Sequence, residues 1–530
     1  MSGVGKGVTT ASIAKILLGK GFRVSPIKID PYLNVDAGTM NPTEHGEVFV
    51  LDSGLECDQD MGNYERFLDT ALPSENYMTN GMVFKYVIDK ERALGYDGKC
   101  VEPTFHITEE VLRRIALSVK KGKPDVTIIE IGGTVGEYQN AIFIEAARIL
   151  KLKNPEDVLF VMVSYLPVPD KTGEMKTKPT QTAIRTLNSY GVHPDIIIAR
   201  SKAPLDDKRK QKIADSNGVP KNRVISAPDV ESIYDVPINF EKDGLSKILL
   251  DQFKLRPKKT DLEDWKKMVK KMHSAKNPVK IAVVGKYFKT GDFVLSDVYI
   301  SVLESIKHAS YALGRRPAIS WLDAAVYEKD EEKLKELSDY DGVIIPGGFG
   351  SRAIEGKIKA IEYVRKHKIP YFGLCYGMQL ASVEFSRNVG KLKDANTVEI
   401  NPLTKQPIID IMPDQKDKIA RHNMGGTMRL GGYPAKLKKG TIAHKAYGKD
   451  TIRERHRHRY EVNPKYIEML EEKGMIFSGV SPDKRLMEIM ELPREIHPFF
   501  LGTQFHPEFL STPLNPHPLF LEFIKACIKK

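Results

Sequence analysis

The sequence predicts an α/β protein of two domains, each a mostly parallel sheet flanked by helices. Short runs of Val, Ile and Leu without polar alternation, such as Val126-Thr-Ile-Ile-Glu130, Asp195-Ile-Ile-Ile-Ala199 and Gly342-Val-Ile-Ile345, alternate with longer stretches of helical period. Such runs mark strands buried on both faces, the setting of a parallel sheet. A polar, lysine-rich stretch from Arg256 to Pro278 divides them into two sets, and 530 residues exceed what one core fills. The expected domains are therefore 1–254 and 280–530, joined by a linker at 255–279.

Composition narrows the function classes. No stretch approaches the roughly 18 apolar residues that a membrane span needs, and no signal peptide opens the chain. A cytoplasmic enzyme without membrane contact is expected. The four cysteines (57, 100, 375 and 527) are scattered, with neither metal-ligand spacing nor a disulfide pattern. The net charge of +12 comes from lysines dispersed along helical stretches, as in Lys266-Lys-Met-Val-Lys-Lys271. They read as solvated faces, with the surplus suited to phosphate ligands rather than nucleic acid.

In chain order, the first element is the turn Ser2-Gly3-Val4-Gly5-Lys6-Gly7-Val8, followed by a helical pattern through Ile13, Ile16 and Leu17 that ends at Gly19-Lys-Gly21. A glycine-rich turn, a lysine and a helix N-terminus together cradle phosphate. Gly7 stands where the common P-loop has Ser or Thr. No strand precedes the turn, so the first strand of the N-terminal sheet is expected to be missing. Phe22 to Asp30 reads as an alternating strand carrying Lys28, and Pro31 to Phe67 as an irregular functional loop. Further strands are expected at Val158–Val163 and Arg223–Ser226. The second domain opens at Val279-Lys-Ile-Ala-Val-Val-Gly285 and continues through Pro317–Trp321 and Tyr371–Leu374.

In Tyr371-Phe-Gly373-Leu-Cys375-Tyr376-Gly377-Met378-Gln379, two glycines flank Cys375. A nucleophile on a sharp strand-to-helix turn needs such small neighbours, and a helix starting near Met378 would favour its thiolate. A buried core cysteine is the plainer alternative. In Gln504-Phe-His506-Pro-Glu508, an extended segment would project His506 and Glu508 to the same side, giving a base and its orienting carboxylate. This half resembles the class I glutamine amidotransferases, which release ammonia from glutamine. Pro346-Gly-Gly348-Phe-Gly350 fits their oxyanion loop. The resemblance implies that Gly348, Tyr376, Gly377, Met378, Gln379, Glu399 and Arg459 bind glutamine. Leucine is usual in that family at Tyr376. The basic run Glu454-Arg-His-Arg-His-Arg459 is expected to split between two strand faces, with Arg459 turned to the ligand.

The blocks "SGVGKGVTTAS", "IKIDPYLNVDAGTMNPTEHGEVFVLDSG", "DMGNYERF", "EIGGTVGE" and "GEMKTKPTQ" resemble the CTP synthase family in order, and the resemblance covers the whole chain. It implies a P-loop/Rossmann-like synthetase domain in which ATP phosphorylates UTP and ammonia from glutamine then replaces the phosphate. It places ATP on Gly3 to Val8 with Asp229 and Val230, and Lys28 beside the transferred group. Asp60 and Glu130 are expected to hold Mg²⁺, with Asp60 also at the ATP. UTP, or CTP as feedback inhibitor, would meet Ser2, Glu137, Tyr138, Gln139, Lys176, Thr177, Lys178, Pro179, Thr180, Gln181 and Lys212. GTP activation and a homotetramer are implied as well. The chain departs from the family pattern at Glu137-Tyr-Gln139, at Pro228 before the adenine turn, and around Asp97. Two other readings carry less: an amidotransferase acting on a cobalamin precursor, and a non-catalytic nucleotide-binding scaffold or filament subunit.

Overall fold

Apolar runs of four to eight residues become parallel strands here because both of their faces find helices. In a computed structural model of the chain, all residues are described except 1–2, 172, 260–261, 286–288, 291–292, 295, 349, 351, 413–414, 416–424 and 530. The chain forms two units. One runs up to Asp36 and resumes over Asp60–Val269; the other takes Ala37–Gln59 together with Lys270 onward.

In the first unit, the strand Val24–Asp30 lies between Tyr77–Thr79 and Val126–Ile131, parallel to both. A second three-stranded parallel sheet has the order Val161–Tyr165, Ile196–Ser201, Val224–Pro228. Among the described residues no strand joins the two sheets, so Val126–Ile131 and Val161–Tyr165 are edges. They are only partly buried, whereas Ile196–Ser201 is buried almost throughout. Val24–Asp30 is not the alternating strand expected. From Ser25 to Asp30 every residue is buried, because Lys28 and Asp30 find charged partners inside.

The stretch expected as a linker carries the helix Glu263–Ser274. Trp265 is buried against Phe67 and Tyr234 and donates its indole N–H to the Tyr234 carbonyl at 2.9 Å.

The second unit holds a nine-stranded sheet. Five parallel strands come first, in the order Arg316–Asp323, Pro278–Gly285, Gly342–Ile345, Tyr371–Leu374, Phe500–Thr503. Four antiparallel strands follow: Met487–Glu491, Ile476–Val480, Arg429–Leu437 and Thr451–His458. Along the parallel strands alternate residues enter opposite cores. Ala282, Val284, Val343 and Ile345 pack on one side, and Ile281, Val283, Ile344 and Leu374 on the other. Both faces are therefore apolar, which explains the unbroken runs.

Ala37–Gln59, read as part of an irregular loop, contains an antiparallel hairpin of Val48–Val50 and Glu56–Asp58. Its acids pair with the strand Thr451–His458. Asp52 takes a two-pronged bond from Arg453 at 3.0 and 2.9 Å, and Glu56 accepts from Arg457 at 2.8 Å. Phe49 meets Phe509 edge to face with ring centroids 5.0 Å apart.

Candidate active sites

The strand Tyr371–Leu374 ends at Cys375, and the helix Tyr376–Asn388 begins at the next residue, two positions earlier than Met378. Cys375 has φ 47° and ψ −95°, a conformation costly for a residue with a Cβ. The turn is tight on both sides. A Cβ on Gly377 would lie 2.3 Å from the Ile345 carbonyl oxygen, and one on Gly373 would lie 2.7 Å from the Gly377 backbone. Cys375 N–H donates to the Thr503 carbonyl at 2.6 Å, which ties the turn to the next strand. The thiol is buried at the helix N-terminus, as a thiolate-favouring elbow requires.

His506 Nδ1 lies 2.7 Å from Glu508 Oε1. The contact is the one expected, but its geometry differs. Pro507–Leu510 is a short 3-10 helix rather than an extended segment, so the turn itself brings the carboxylate back to the ring. Phe509 stacks on the imidazole at 5.1 Å. Burial works against an imidazolium here, but Glu508 and Cys375 carry the His506 pKa up to about 10. Nε2 makes no aligned hydrogen bond. Such a contact tightens once substrate is bound.

The loop expected to hold the oxyanion follows the strand Gly342–Ile345; Phe349 lies outside the described residues. A Cβ on Gly347 would come within 2.8 Å of His506 Cε1, so the loop runs against the base. Glu399 accepts the Gly350 N–H at 2.7 Å, and the Tyr376 hydroxyl donates to the Gly350 carbonyl at 3.2 Å. Glu399 and Tyr376 thus hold Gly350, two residues after Gly348, and residues 376–379 follow Cys375 directly in the helix. Arg459 is buried, with its guanidinium on Gln415 and Thr427 at 2.8 and 3.0 Å. Alternate residues of the basic run take different partners: Arg453, Arg455 and Arg457 reach Asp52, the Val50 carbonyl and Glu56 of the hairpin, while His456 and His458 meet Glu488 and Glu461. Arg455, His456, His458 and Arg459 are all buried, and Arg453 and Arg457 hold the hairpin acids.

In the first unit, Lys6 opens the helix Lys6–Gly19 after Gly5 at φ 89°, and its ammonium donates to the Gly133 carbonyl at 3.1 Å. Burial presses the Lys6 pKa down. Gly7 replaces the usual Ser or Thr for a steric reason: a Cβ there would sit 1.9 Å from Asp60 Oδ1. Lys28 lies between Asp60 and Glu130, reaching Glu130 Oε1 at 3.0 Å, with Asp30 at 3.6 Å. Tyr64 donates to the other Glu130 oxygen. Burial pushes the Glu130 carboxyl up, against the pull of Lys28; Asp60 is held low because Lys28 outweighs its burial.

Two carboxylates around one ammonium, Glu130 buried and Asp60 partly so, make a place for cationic charge. Hard oxygen donors that share their cation with phosphates suit Mg²⁺. Among the described residues no group of three or more His, Cys, Asp or Glu side chains is arranged to hold a metal alone.

A small cleft of about 80 Å³ is lined by Gly5, Val8, Arg200, Pro228, Val230 and Phe240, among others. Arg200 shapes it by donating to the Ala227 and Pro228 carbonyls at 2.9 and 3.0 Å and to Asp229 at 2.9 Å. Arg200 escaped the sequence reading. A basic residue closing an apolar strand was the available signal. Gly3 precedes this cleft, and Val4 is buried beside it in sequence.

The other predicted nucleotide residues fall in two groups. Lys176 is paired with Glu174, Lys178 and Pro179 open the helix Lys178–Ser189, and Thr177, Thr180 and Gln181 are buried. Arg209 reaches the Met175 carbonyl at 3.3 Å, which draws the helix Asp207–Asn217, with Lys212, to that loop. Glu137 accepts from Thr134 N–H and from Gln139, while Tyr138 is fully exposed. Ser2 lies outside the described residues.

Residues 1–255 match the family described as CTP synthase N-terminus, and residues 294–526 match glutamine amidotransferase class-I. The chain is 49% identical over 528 residues to a CTP synthase of Pyrococcus furiosus, covering 99% of this chain and 96% of that one. It is 48% identical over 532 residues to one of Thermococcus kodakarensis, covering 100% and 97%. Among solved structures it is similar to the glutaminase domain of a Trypanosoma brucei CTPS with bound acivicin, at 40% identity and TM-score 0.44. That match covers 48% of this chain and 94% of that one. No helix among the described residues is long and apolar enough to cross a membrane.

Proposed function

The chain belongs to the CTP synthase family, converting UTP to CTP with ATP and with glutamine as nitrogen donor, and from that premise we propose how its residues divide the work. Full-length likeness to CTP synthases decides against the cobalamin-precursor and scaffold readings.

Cys375 is the nucleophile. Its thiolate attacks the glutamine side-chain carbonyl, and the C–N bond breaks as His506 Nε2 gives a proton to the leaving ammonia. Water, deprotonated by the same nitrogen, then cleaves the thioester to glutamate. Glu508 holds Nδ1 and supports the imidazolium. Backbone N–H groups of the Gly348 loop and of the residue after Cys375 face the developing oxyanion. Tyr376, Gly377, Met378, Gln379, Glu399 and Arg459 form the wall that meets glutamine.

In the synthetase half, Gly3 to Val8 cradle the ATP phosphates, with the adenine against Asp229 and Val230. Lys28 stabilises charge on the phosphoryl group passing to the UTP 4-oxygen, and ammonia then displaces phosphate from C4. Asp60 and Glu130 would hold Mg²⁺, which supplies neutralising charge to the phosphates when bound. Ser2, Glu137 to Gln139, Lys176 to Gln181 and Lys212 take the UTP or the inhibitory CTP. The working domains are 1–254 and 280–530, with a linker at 255–279. GTP as activator, a homotetramer and a cytoplasmic location belong to the same proposal.

The observation that carries it is the strained Cys375 elbow beside an imidazole whose pKa reaches about 10. The test is covalent trapping with a chloroketone analogue of glutamine, followed by peptide mass analysis. Label on Cys375 alone, with loss of glutamine hydrolysis, is expected. Label on Cys57, Cys100 or Cys527 with the same loss would sink the assignment.

A further inference from the structure

Gln504 is fully buried directly after the strand Phe500–Thr503, and its backbone N–H is fixed on the Glu488 carbonyl at 2.8 Å. Its side-chain nitrogen Nε2 lies 3.6 Å from Cys375 Sγ, within the range of an N–H···S bond. What decides the chemistry is which end of the amide faces sulfur, because nitrogen and oxygen are alike in shape.

A backbone carbonyl settles that direction. The Tyr460 carbonyl can only accept, and Gln379 Nε2 donates to it at 3.0 Å. The same nitrogen donates to Gln504 Oε1 at 3.3 Å. With its oxygen committed to Gln379, Gln504 has only its N–H₂ left for the sulfur. The order Tyr460 carbonyl, Gln379, Gln504, Cys375 therefore runs one way. On another side of the sulfur lies the Arg457 carbonyl at 3.9 Å, which accepts from a thiol and repels a thiolate. A donor is needed to offset it.

We propose that Gln504 is a catalytic residue that donates its side-chain N–H to the Cys375 sulfur and holds the thiolate for attack, and that Gln379 is the positioning residue that sets the direction of that amide. This rests on Cys375 being the nucleophile. The titratable groups that act on Cys375 or on its neighbour His506 are His506 itself, Glu508, and His456 and His458 in the strand Thr451–His458. Burial keeps His456 and His458 neutral, Glu56 occupies the Arg457 guanidinium, and Glu399 holds the Gly350 N–H. Substituting Gln504 leaves each of these in place. A hydrogen bond to the charged form favours that form, so removing it moves thiolate formation to higher pH.

The test is the pH dependence of Cys375 alkylation by iodoacetamide, read by peptide mass, with glutamine hydrolysis and ammonia-dependent CTP synthesis measured alongside. In Gln504→Leu the profile moves up by about one pH unit. The kcat for glutamine hydrolysis falls about tenfold or more, with KM nearly unchanged. Ammonia-dependent synthesis stays at the wild-type level. Gln504→Glu keeps the shape but places oxygen on the sulfur, so its profile moves further in the same direction; should the leucine variant fail to fold, this one decides alone. Profiles coinciding with wild type overturn the inference. Cys375→Ser is the separate control: if it still hydrolyses glutamine, the nucleophile assignment fails instead.

Discussion

The two sites differ in how their charges stand before any ligand arrives. In the second unit, Cys375 is held in a strained turn with His506 oriented by Glu508 at 2.7 Å. The imidazole is aimed, and its charged form favoured, before substrate arrives. In the first unit, Lys28 is spent on Asp60 and Glu130, and Lys6 on the Gly133 carbonyl. That cluster is satisfied within itself and must be opened by phosphates to act. Attack on an amide needs a fixed nucleophile, whereas phosphoryl transfer needs charges that follow the phosphate. The contrast suggests that glutamine hydrolysis depends on preorganisation, and the synthetase step on exchange of ion pairs.

Removing Lys28 breaks the comparison most severely. Lys28→Met is expected to lower CTP formation about a thousandfold or more, with glutamine and with ammonium alike. It also leaves the buried Glu130 and the partly buried Asp60 without their cation. Glutamine hydrolysis, measured as glutamate release, is expected to persist.

Acid should act on the second unit first. His497 is buried, with Nδ1 accepting from the Phe499 N–H and Nε2 donating to the Val364 carbonyl, so the neutral ring is the one built in. Burial holds its pKa down at about 4, from the ordinary 6.5, and His456 and His458 are depressed by burial as well. A base depressed on folding contributes stability that is present above the unfolded value and lost as pH falls toward the folded one. For His497 alone this amounts to about 3 kcal/mol, lost between pH 6.5 and 4. Thermal unfolding of His497→Asn should be distinctly less sensitive to that pH change than wild type. Equal sensitivity would remove His497 from the account.

The smallest effect sharpens the picture of the oxyanion loop. Tyr376→Phe loses only the hydroxyl that donates to Gly350. One hydrogen bond of about 1 kcal/mol predicts a two- to fivefold fall in kcat for glutamine hydrolysis. No change at all would mean that Glu399 positions the loop unaided.

The Cys375 elbow was legible because the turn demands glycine on both sides, and sterics of that kind show in local sequence. The His506–Glu508 pair was legible as a pattern, though a 3-10 turn and not an extended strand brings it together. Only the resemblance to the family singles out Lys28, since nothing near it in sequence announces Asp60 and Glu130 as its partners. The partners of the basic run around Arg455 were illegible for the same reason: Asp52 and Glu56, about 400 residues earlier, meet Arg453 and Arg457. Gln504 stood inside a recognised motif, yet its direction depends on Gln379 and a backbone carbonyl. Short-range sterics can be read from a sequence; long-range pairing of charge cannot.

The most direct test of two separately carried sites is CTP formation by Cys375→Ala with glutamine or with ammonium. The account predicts that glutamine-dependent synthesis disappears while ammonium-dependent synthesis stays at the wild-type rate. Loss of both together would contradict it.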